Sequence, residues 1–256
     1  MYGRKNRIKY RGRCENCGKV TTFDNYDGRK WGHLYFIPLI PGGGKVRVMR
    51  ECQSCNVGVH IPIEHVPQIV ESTKQKLDQI IASIGSGESW IKTEANRVSA
   101  SILIGGIVLD IFCLKGEEEL LLLIDNLRAV GAQKELLLVE AKLHEFKGNN
   151  QKADSTYKEI ENLDDNWDAL YFYAKYLYDT NRPGKAVVIA EKIELSYVED
   201  LSLKQLLIDC YEGTKQWSKV AATYENCFLI VPELKNQKEV YKRYKKACKK
   251  GGVKPQ

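Results

Sequence analysis

The sequence predicts two kinds of structure in one chain: a small β unit stapled by four cysteines, then an all-α helical repeat. Three observations predict it. Two C-x-x-C pairs lie in the first quarter of the 256 residues, a recurrence of 33 and 34 residues runs through the C-terminal half, and helical apolar spacing dominates after residue 66. Apolar residues make up 43% of the chain, which excludes disorder throughout. The expected organisation is a β unit over 1–65, a helix and linker over 66–89, and a repeat domain over 90–256 that ends in a basic capping helix.

The pairs are Cys14-Glu15-Asn16-Cys17-Gly18 and Cys52-Gln53-Ser54-Cys55-Asn56. Each can form a tight knuckle that aims two thiolates at one ion. Four thiolates at about 2.3 Å close a tetrahedral zinc site and leave no position open for catalysis. Gly18 and Asn56 follow the knuckles, where the turn favours a positive φ. Residues 30–37 are rich in aromatic and β-branched side chains and read as a strand. Pro38, Pro41 and Gly42-Gly43-Gly44 break it, and 45–51 alternates with period two into the second knuckle. Two strand-knuckle units around one metal make a zinc ribbon, and so small a unit needs the staple. Cys14, Cys17, Cys52 and Cys55 are thus the candidate ligands of one structural Zn2+, with an iron or redox site and a reactive dithiol as competing uses. Thioredoxin-like chemistry expects one C-x-x-C beside a βαβ pattern, which is missing. His33, His60 and His65 lie nearby but are not expected to ligate.

Cys14-x-x-Cys17-Gly18, then Phe36-Ile37-Pro38-Leu39-Ile40-Pro41 with Gly and Lys following, then Cys52-x-x-Cys55, resembles a family of zinc-ribbon domains marked by an F-I-P-L-x-P segment. The resemblance covers roughly a quarter of the chain. It implies a zinc ribbon and little about activity, because that family is mostly uncharacterised. Asn56 stands where the pattern usually has Gly.

Pro67 suits a helix start, and Ile69, Val70, Leu77, Ile80, Ile81 and Ile84 recur at helical spacing until Gly85-Ser86-Gly87 breaks the pattern. Helices are expected over 91–114 and 117–130. Glu117-Glu118-Glu119 favours the second start through the helix dipole, and the apolar run from Leu120 to Ile124 implies burial on more than one side. The most apolar stretch, 98–114, is 17 residues interrupted by Asp110 and reads as a buried helix.

Three segments then superpose, starting near Lys134, Trp167 and Leu201. Packing positions fall in register: Leu137, Ala141, His144, Ala153, Tyr157 and Ile160; Leu170, Ala174, Leu177, Ala186, Ala190 and Ile193; Leu207, Ile208, Tyr211, Val220, Tyr224 and Cys227. Gly148-Asn149-Asn150, Asn181-Arg182-Pro183-Gly184 and Gly213-Thr214-Lys215 align as turns, and Pro232 closes the third segment. This resembles tetratricopeptide repeats, and so a TPR-like α-solenoid. Glu140 and Lys204 depart from the pattern at positions usually apolar. A basic helix over 234–249 fits a terminal cap, with Tyr241, Tyr244 and Cys248 buried. By the resemblance, first helices line a partner groove, here Leu138, Lys142 and Glu145, then Tyr171, Lys175 and Tyr178, then Gln205, Asp209 and Glu212.

Net charge is +6, distributed as +7 over 1–65, −9 over 66–233 and +8 over 234–256. The start of the chain, 1–13, is basic without an apolar core and does not read as a secretory signal, so a reducing, cytoplasmic location is expected. Nothing resembles a phosphate-cradling loop, G-x-S-x-G or H-E-x-x-H. Cys113, Cys210, Cys227 and Cys248 sit in helical apolar patterns as packing residues. The chain therefore reads as a non-enzymatic adaptor that binds a protein or peptide through the repeat groove, with the ribbon as a second interaction module. The alternative is a nucleic-acid-associated factor that uses Arg4, Lys5, Arg7, Lys9, Arg11 and Arg13 on phosphates and Trp31 and Tyr35 for stacking.

Overall fold

The structure, a computed structural model, describes residues 2–29, 32–34, 37–40, 44–92, 97–163, 166–194 and 200–255. The chain divides into two compact units, Met1–Ala169 and Leu170–Gln256.

The first unit opens with strands β1 (Tyr2–Arg13) and β2 (Val20–Arg29), a short antiparallel pair β3 (Gly32–Leu34) and β4 (Ile37–Ile40), and strands β5 (Lys45–Cys52) and β6 (Val59–Pro62). Four of these make an antiparallel sheet in the order β1-β2-β5-β6. Sequence patterning expected strands only over 30–37 and 45–51. β1 and β2 lack that patterning because much of one face is ionic, and Arg4 and Arg7 reach Asp24 across the strands. The other face is aromatic: Tyr10 stacks on Phe23 at 4.9 Å.

Helix α1 (Val66–Gly85) follows, with Pro67 in its first turn as expected. The expected helix over 91–114 begins later. Strands β7 (Trp90–Lys92) and β8 (Arg97–Ser99) pair as a hairpin, and helix α2 (Ala100–Lys115) starts where the Ser99 hydroxyl accepts from the Ile102 amide at 3.2 Å. That cap fixes the boundary more firmly than the apolar run, which continues through it. Helix α3 (Glu117–Ala129) starts at the acidic triplet. Its Leu120, Leu123 and Ile124 are buried but Leu121 and Leu122 are exposed, so the run is not buried all round.

The remaining helices are α4 (Gln133–Phe146), α5 (Asn150–Glu161), α6 (Trp167–Asp179), α7 (Pro183–Glu194), α8 (Leu201–Gly213), α9 (Trp217–Ile230) and α10 (Lys238–Gly251). Helices α2, α4, α6 and α8 begin at 100, 133, 167 and 201, steps of 33, 34 and 34. Helices α3, α5, α7 and α9 begin at 117, 150, 183 and 217, steps of 33, 33 and 34. Of the packing positions read from the recurrence, all are buried except His144, which is half-buried. Lys204, at one usually apolar position, is buried with its ammonium 3.3 Å from Glu194. Glu140, at the other, lies 3.5 Å from Arg128. Cys113, Cys210, Cys227 and Cys248 are buried. The expected basic helix over 234–249 is in two parts, a short 3-10 turn at Pro232–Asn236 and then α10, where Tyr244 and Cys248 are buried and Tyr241 is half-exposed.

Within the first unit, sheet and helices share a core across residues 65 and 89. Phe146 of α4 meets Tyr10 edge-on at 5.9 Å and Phe112 of α2 at 4.8 Å. Arg47, 3% exposed, donates to the Asn6 carbonyl at 3.0 Å, to Asp27 at 3.1 Å and to the Cys113 carbonyl at 2.6 Å. Arg50 pairs with Asp110 of α2. No helix of the described residues is long and apolar enough to cross a membrane.

Candidate metal centre

The two knuckles are built alike. In the first, the Cys14 amide donates to the Lys19 carbonyl at 2.9 Å and the Gly18 amide to the Cys14 carbonyl at 2.7 Å. In the second, the Cys52 amide donates to Val57 at 2.9 Å and Asn56 to Cys52 at 2.7 Å. The residue after each knuckle has the left-handed backbone expected, φ 69° at Gly18 and 57° at Asn56. The first knuckle joins β1 to β2 and the second follows β5. Because β2 pairs with β5, with Phe23 opposite Cys52, the sheet register brings the two turns together.

The four sulfurs all lie within 4.8 Å of one another, with Cys14–Cys55 and Cys17–Cys52 at 3.8 Å. A tetrahedron with ligand bonds of about 2.3 Å has edges of about 3.8 Å. The donor set therefore fits a tetrahedral metal ion such as zinc, held equally by both knuckles. Cys14 and Cys52 are buried, whereas Cys17 and Cys55 are half-exposed. All eight cysteines are free of disulfides.

A polar shell ties the knuckles together. Asn16 donates to Cys55 Sγ at 3.4 Å, and the Gln53 amide to the Thr22 carbonyl at 3.1 Å. The Asn16 bond, reinforced by the Val57 amide, lowers the Cys55 thiol and so favours its thiolate, the form that ligates a metal. Cys113 is the opposite case, since burial pushes its thiol up to about 12 and leaves it inert. Beneath the knuckles, buried Asp24 accepts from Arg7 Nε at 3.0 Å and from Gln53 at 2.9 Å. Burial opposes its charge, but the Arg7 and Gln53 hydrogen bonds outweigh that and hold its carboxyl below the usual range.

Sequence reasoning missed Asn16, Asp24 and Gly58. Gly58 alone carried a signal, as a glycine close behind the second knuckle. A Cβ there would meet Glu51 Cα at 2.9 Å, so the chain passes too close to β5 for a side chain.

The residues expected on phosphates fall into two groups. Arg4 and Arg7 are engaged with Asp24, Arg4 also lies 4.4 Å over the Tyr26 ring, and Arg13 donates to the Gly18 carbonyl at 2.8 Å. Lys5, Lys9 and Arg11 are exposed. Trp31 and Tyr35 lie outside the described residues, as does Phe36.

The expected groove residues also divide. In the first unit Leu138 is fully buried, and Lys142 is buried with its ammonium 3.0 Å from Glu145. In the second unit Tyr171 and Tyr178 are half-buried on α6, and Lys175 lies 3.5 Å from Asp179. Gln205 donates to Asp209 at 3.1 Å. Arg243 of α10 reaches both Asp209 at 2.8 Å and Glu212 at 3.1 Å, which cancels part of the negative charge expected there.

Compared with known proteins, the chain matches no protein-family model, no curated protein and no solved structure.

Proposed function

We propose that the chain is a non-enzymatic adaptor: a zinc ribbon, closed by one structural Zn2+, joined to a TPR-like helical repeat that binds a protein or peptide partner. The observation that carries it is the cluster of four cysteine sulfurs in a chain that continues as helix pairs. Four thiolates fill every position of a tetrahedral ion, so the metal would staple the sheet rather than meet a substrate. The repeat is supported by the steps of 33 and 34 between helix starts. It is further supported by three side-chain contacts 34 residues apart: Ser101 to Glu135, Lys134 to Asp168 and Arg243 to Asp209. A separation of about one repeat length is what contacts between neighbouring repeats produce, and Lys134 and Asp168 are each the second residue of their helix. A reducing, cytoplasmic setting would keep the ligating thiolates and the four helical cysteines available as such.

Tyr171 and Tyr178 are the anchors we assign to partner binding. They lie two turns apart on α6 and keep part of their surface open. Half-open tyrosines supply large, rigid contact area at low entropy cost. Leu138 is the wrong kind of anchor, being already spent in the core. Of the six cations read from sequence for nucleic acid on the basic sheet, Arg4, Arg7 and Arg13 already donate to protein acceptors, which leaves Lys5, Lys9 and Arg11.

The test is an array of short peptides that combine apolar and basic residues, followed by fluorescence polarisation of the hits. Tyr171→Ala and Tyr178→Ala should each weaken binding about tenfold or more. Variants that fold and bind every hit as the parent does would remove α6 as the partner site and leave the adaptor reading without a surface.

A further inference from the structure

Helix α10 carries six lysines and Arg243 among its 14 residues. Its apolar side is already used. Tyr244, Ala247 and Cys248 are buried, with the Tyr244 ring edge-on to Phe228 at 5.2 Å and its hydroxyl donating to Glu225 at 2.8 Å. Arg243 is held by Asp209 and Glu212. What remains outside is lysine: Lys238, Lys242, Lys246 and Lys249, at i, i+4, i+8 and i+11, form one exposed stripe about 16 Å long. Among the described residues the one carboxylate within ion-pair range of this stripe is Glu239, 3.9 Å from Lys242 with both side chains largely exposed, a pair worth little. Exposed Lys235 and Lys254 extend the charge beyond each end.

We propose that this outer face of α10 docks on the phosphate backbone of duplex DNA. The face has the wrong character for other polyanions. A helix that inserts in a membrane surface uses its apolar side, and that side of α10 is packed inside the protein, which leaves lipid only the contact of lysines with headgroups that the vesicle arm of the test below reads. A protein interface has a desolvated centre rich in aromatic residues and arginine and poor in lysine. A single strand needs open aromatic platforms, but the rings bordering the stripe already have lysines over them, Lys245 at 4.8 Å from Tyr241 and Lys250 at 4.0 Å from Trp217. A double helix asks only for a row of exposed cations against a dense, regular line of phosphates. Lysines read no base edges here, so binding should be indifferent to sequence.

The experiment is fluorescence anisotropy of the full, zinc-loaded chain with a labelled DNA duplex, titrated from about 50 to 200 mM salt. The parent should bind, and log K should fall steeply with log salt. The variant K238Q/K242Q/K246Q/K249Q keeps good helix formers at exposed positions, so its circular dichroism should be unchanged. It should lose at least tenfold in affinity at the lowest salt, and its salt slope should drop by about 3.6, near 0.9 per lost phosphate contact. Should that variant misfold, Lys246→Glu alone should still lower both affinity and slope. A second variant, K5Q/K9Q/R11Q, should leave the slope within about one contact of the parent. The proposal is overturned by an unbound duplex, by undiminished binding in the α10 variants, by transfer of the loss to the K5Q/K9Q/R11Q variant, or by stripe-dependent binding to phosphatidylserine vesicles in place of DNA.

Discussion

Arg47 on β5 donates to the main-chain carbonyl of Cys113 on α2 at 2.6 Å, and the guanidinium that does so is nearly sealed from water. One side chain thus satisfies a helix carbonyl, a strand carbonyl and the Asp27 carboxylate together. Arg47→Ala leaves all three acceptors short, and it should cost about 3 kcal/mol in urea unfolding. The same linkage predicts how the metal is felt. Removing it with a chelator should lower the melting temperature read at helical wavelengths, because sheet and helices of the first unit unfold together. A helical transition indifferent to chelation would show that the sheet is an independent body.

The parent should bind one zinc per chain, and Cys17→Ser or Cys55→Ser should abolish stoichiometric binding. Asn16→Ala removes the donor to Cys55 without touching a ligand. It should reduce metal affinity about tenfold, as loss of an outer partner usually does, read by chelator competition with Co2+ spectra confirming the thiolate set.

Gly58→Ala places a methyl group against the backbone of Glu51, so strand and knuckle must separate. The expected loss is about 2 kcal/mol, within the range for overpacking a tight site. Among the described residues, none apart from its chain neighbours has a heavy atom within 4 Å of the same added carbon at Gly44, so Gly44→Ala should be near neutral. Thermal melts of the two variants decide between a specific close approach and a general need for glycine.

Glu191 accepts from Lys219 at 2.7 Å and from the Tyr211 hydroxyl at 2.8 Å. The Lys219 bond first, then the Tyr211 bond, holds its carboxyl below the usual range. A lowered pKa stabilises the fold fully above the unfolded value of about 4.3, and the gain disappears as pH falls through the folded value. Both partners are well exposed, so the contribution is about 0.5 kcal/mol. Lys219→Ala should raise the Glu191 titration midpoint toward about 4.3, followed by carboxyl-carbon NMR, and should leave stability unchanged once pH is well below the folded midpoint.

Local chemistry made much of this molecule readable in advance. The C-x-x-C spacing located the sulfurs that cluster, Gly18 and Asn56 marked the left-handed turns, and the recurrence after Lys134 placed the starts of α4, α6 and α8 within a residue. What stayed hidden depends on contacts distant in sequence. β1 shows few apolar residues because Arg4 and Arg7 serve a carboxylate twenty and seventeen positions away. Asp24 gives no sign from composition that it will be sealed beneath two arginines. The late start of α2 rests on one serine hydroxyl, which a run of apolar residues outweighs in any periodicity count. Leu138 and Lys142 carry groove spacing, yet packing in the first unit encloses them.

Each knuckle contributes one sheltered sulfur and one accessible sulfur, Cys14 with Cys17 and Cys52 with Cys55. A bound ion would therefore have a front and a back. Chelators and oxidants would arrive at Cys17 and Cys55, one from each turn, so the first bond to break would loosen a single knuckle while the buried pair still held the ion. Metal would then leave in stages, and its residence time would be set by how often the front opens rather than by the strength of the whole site.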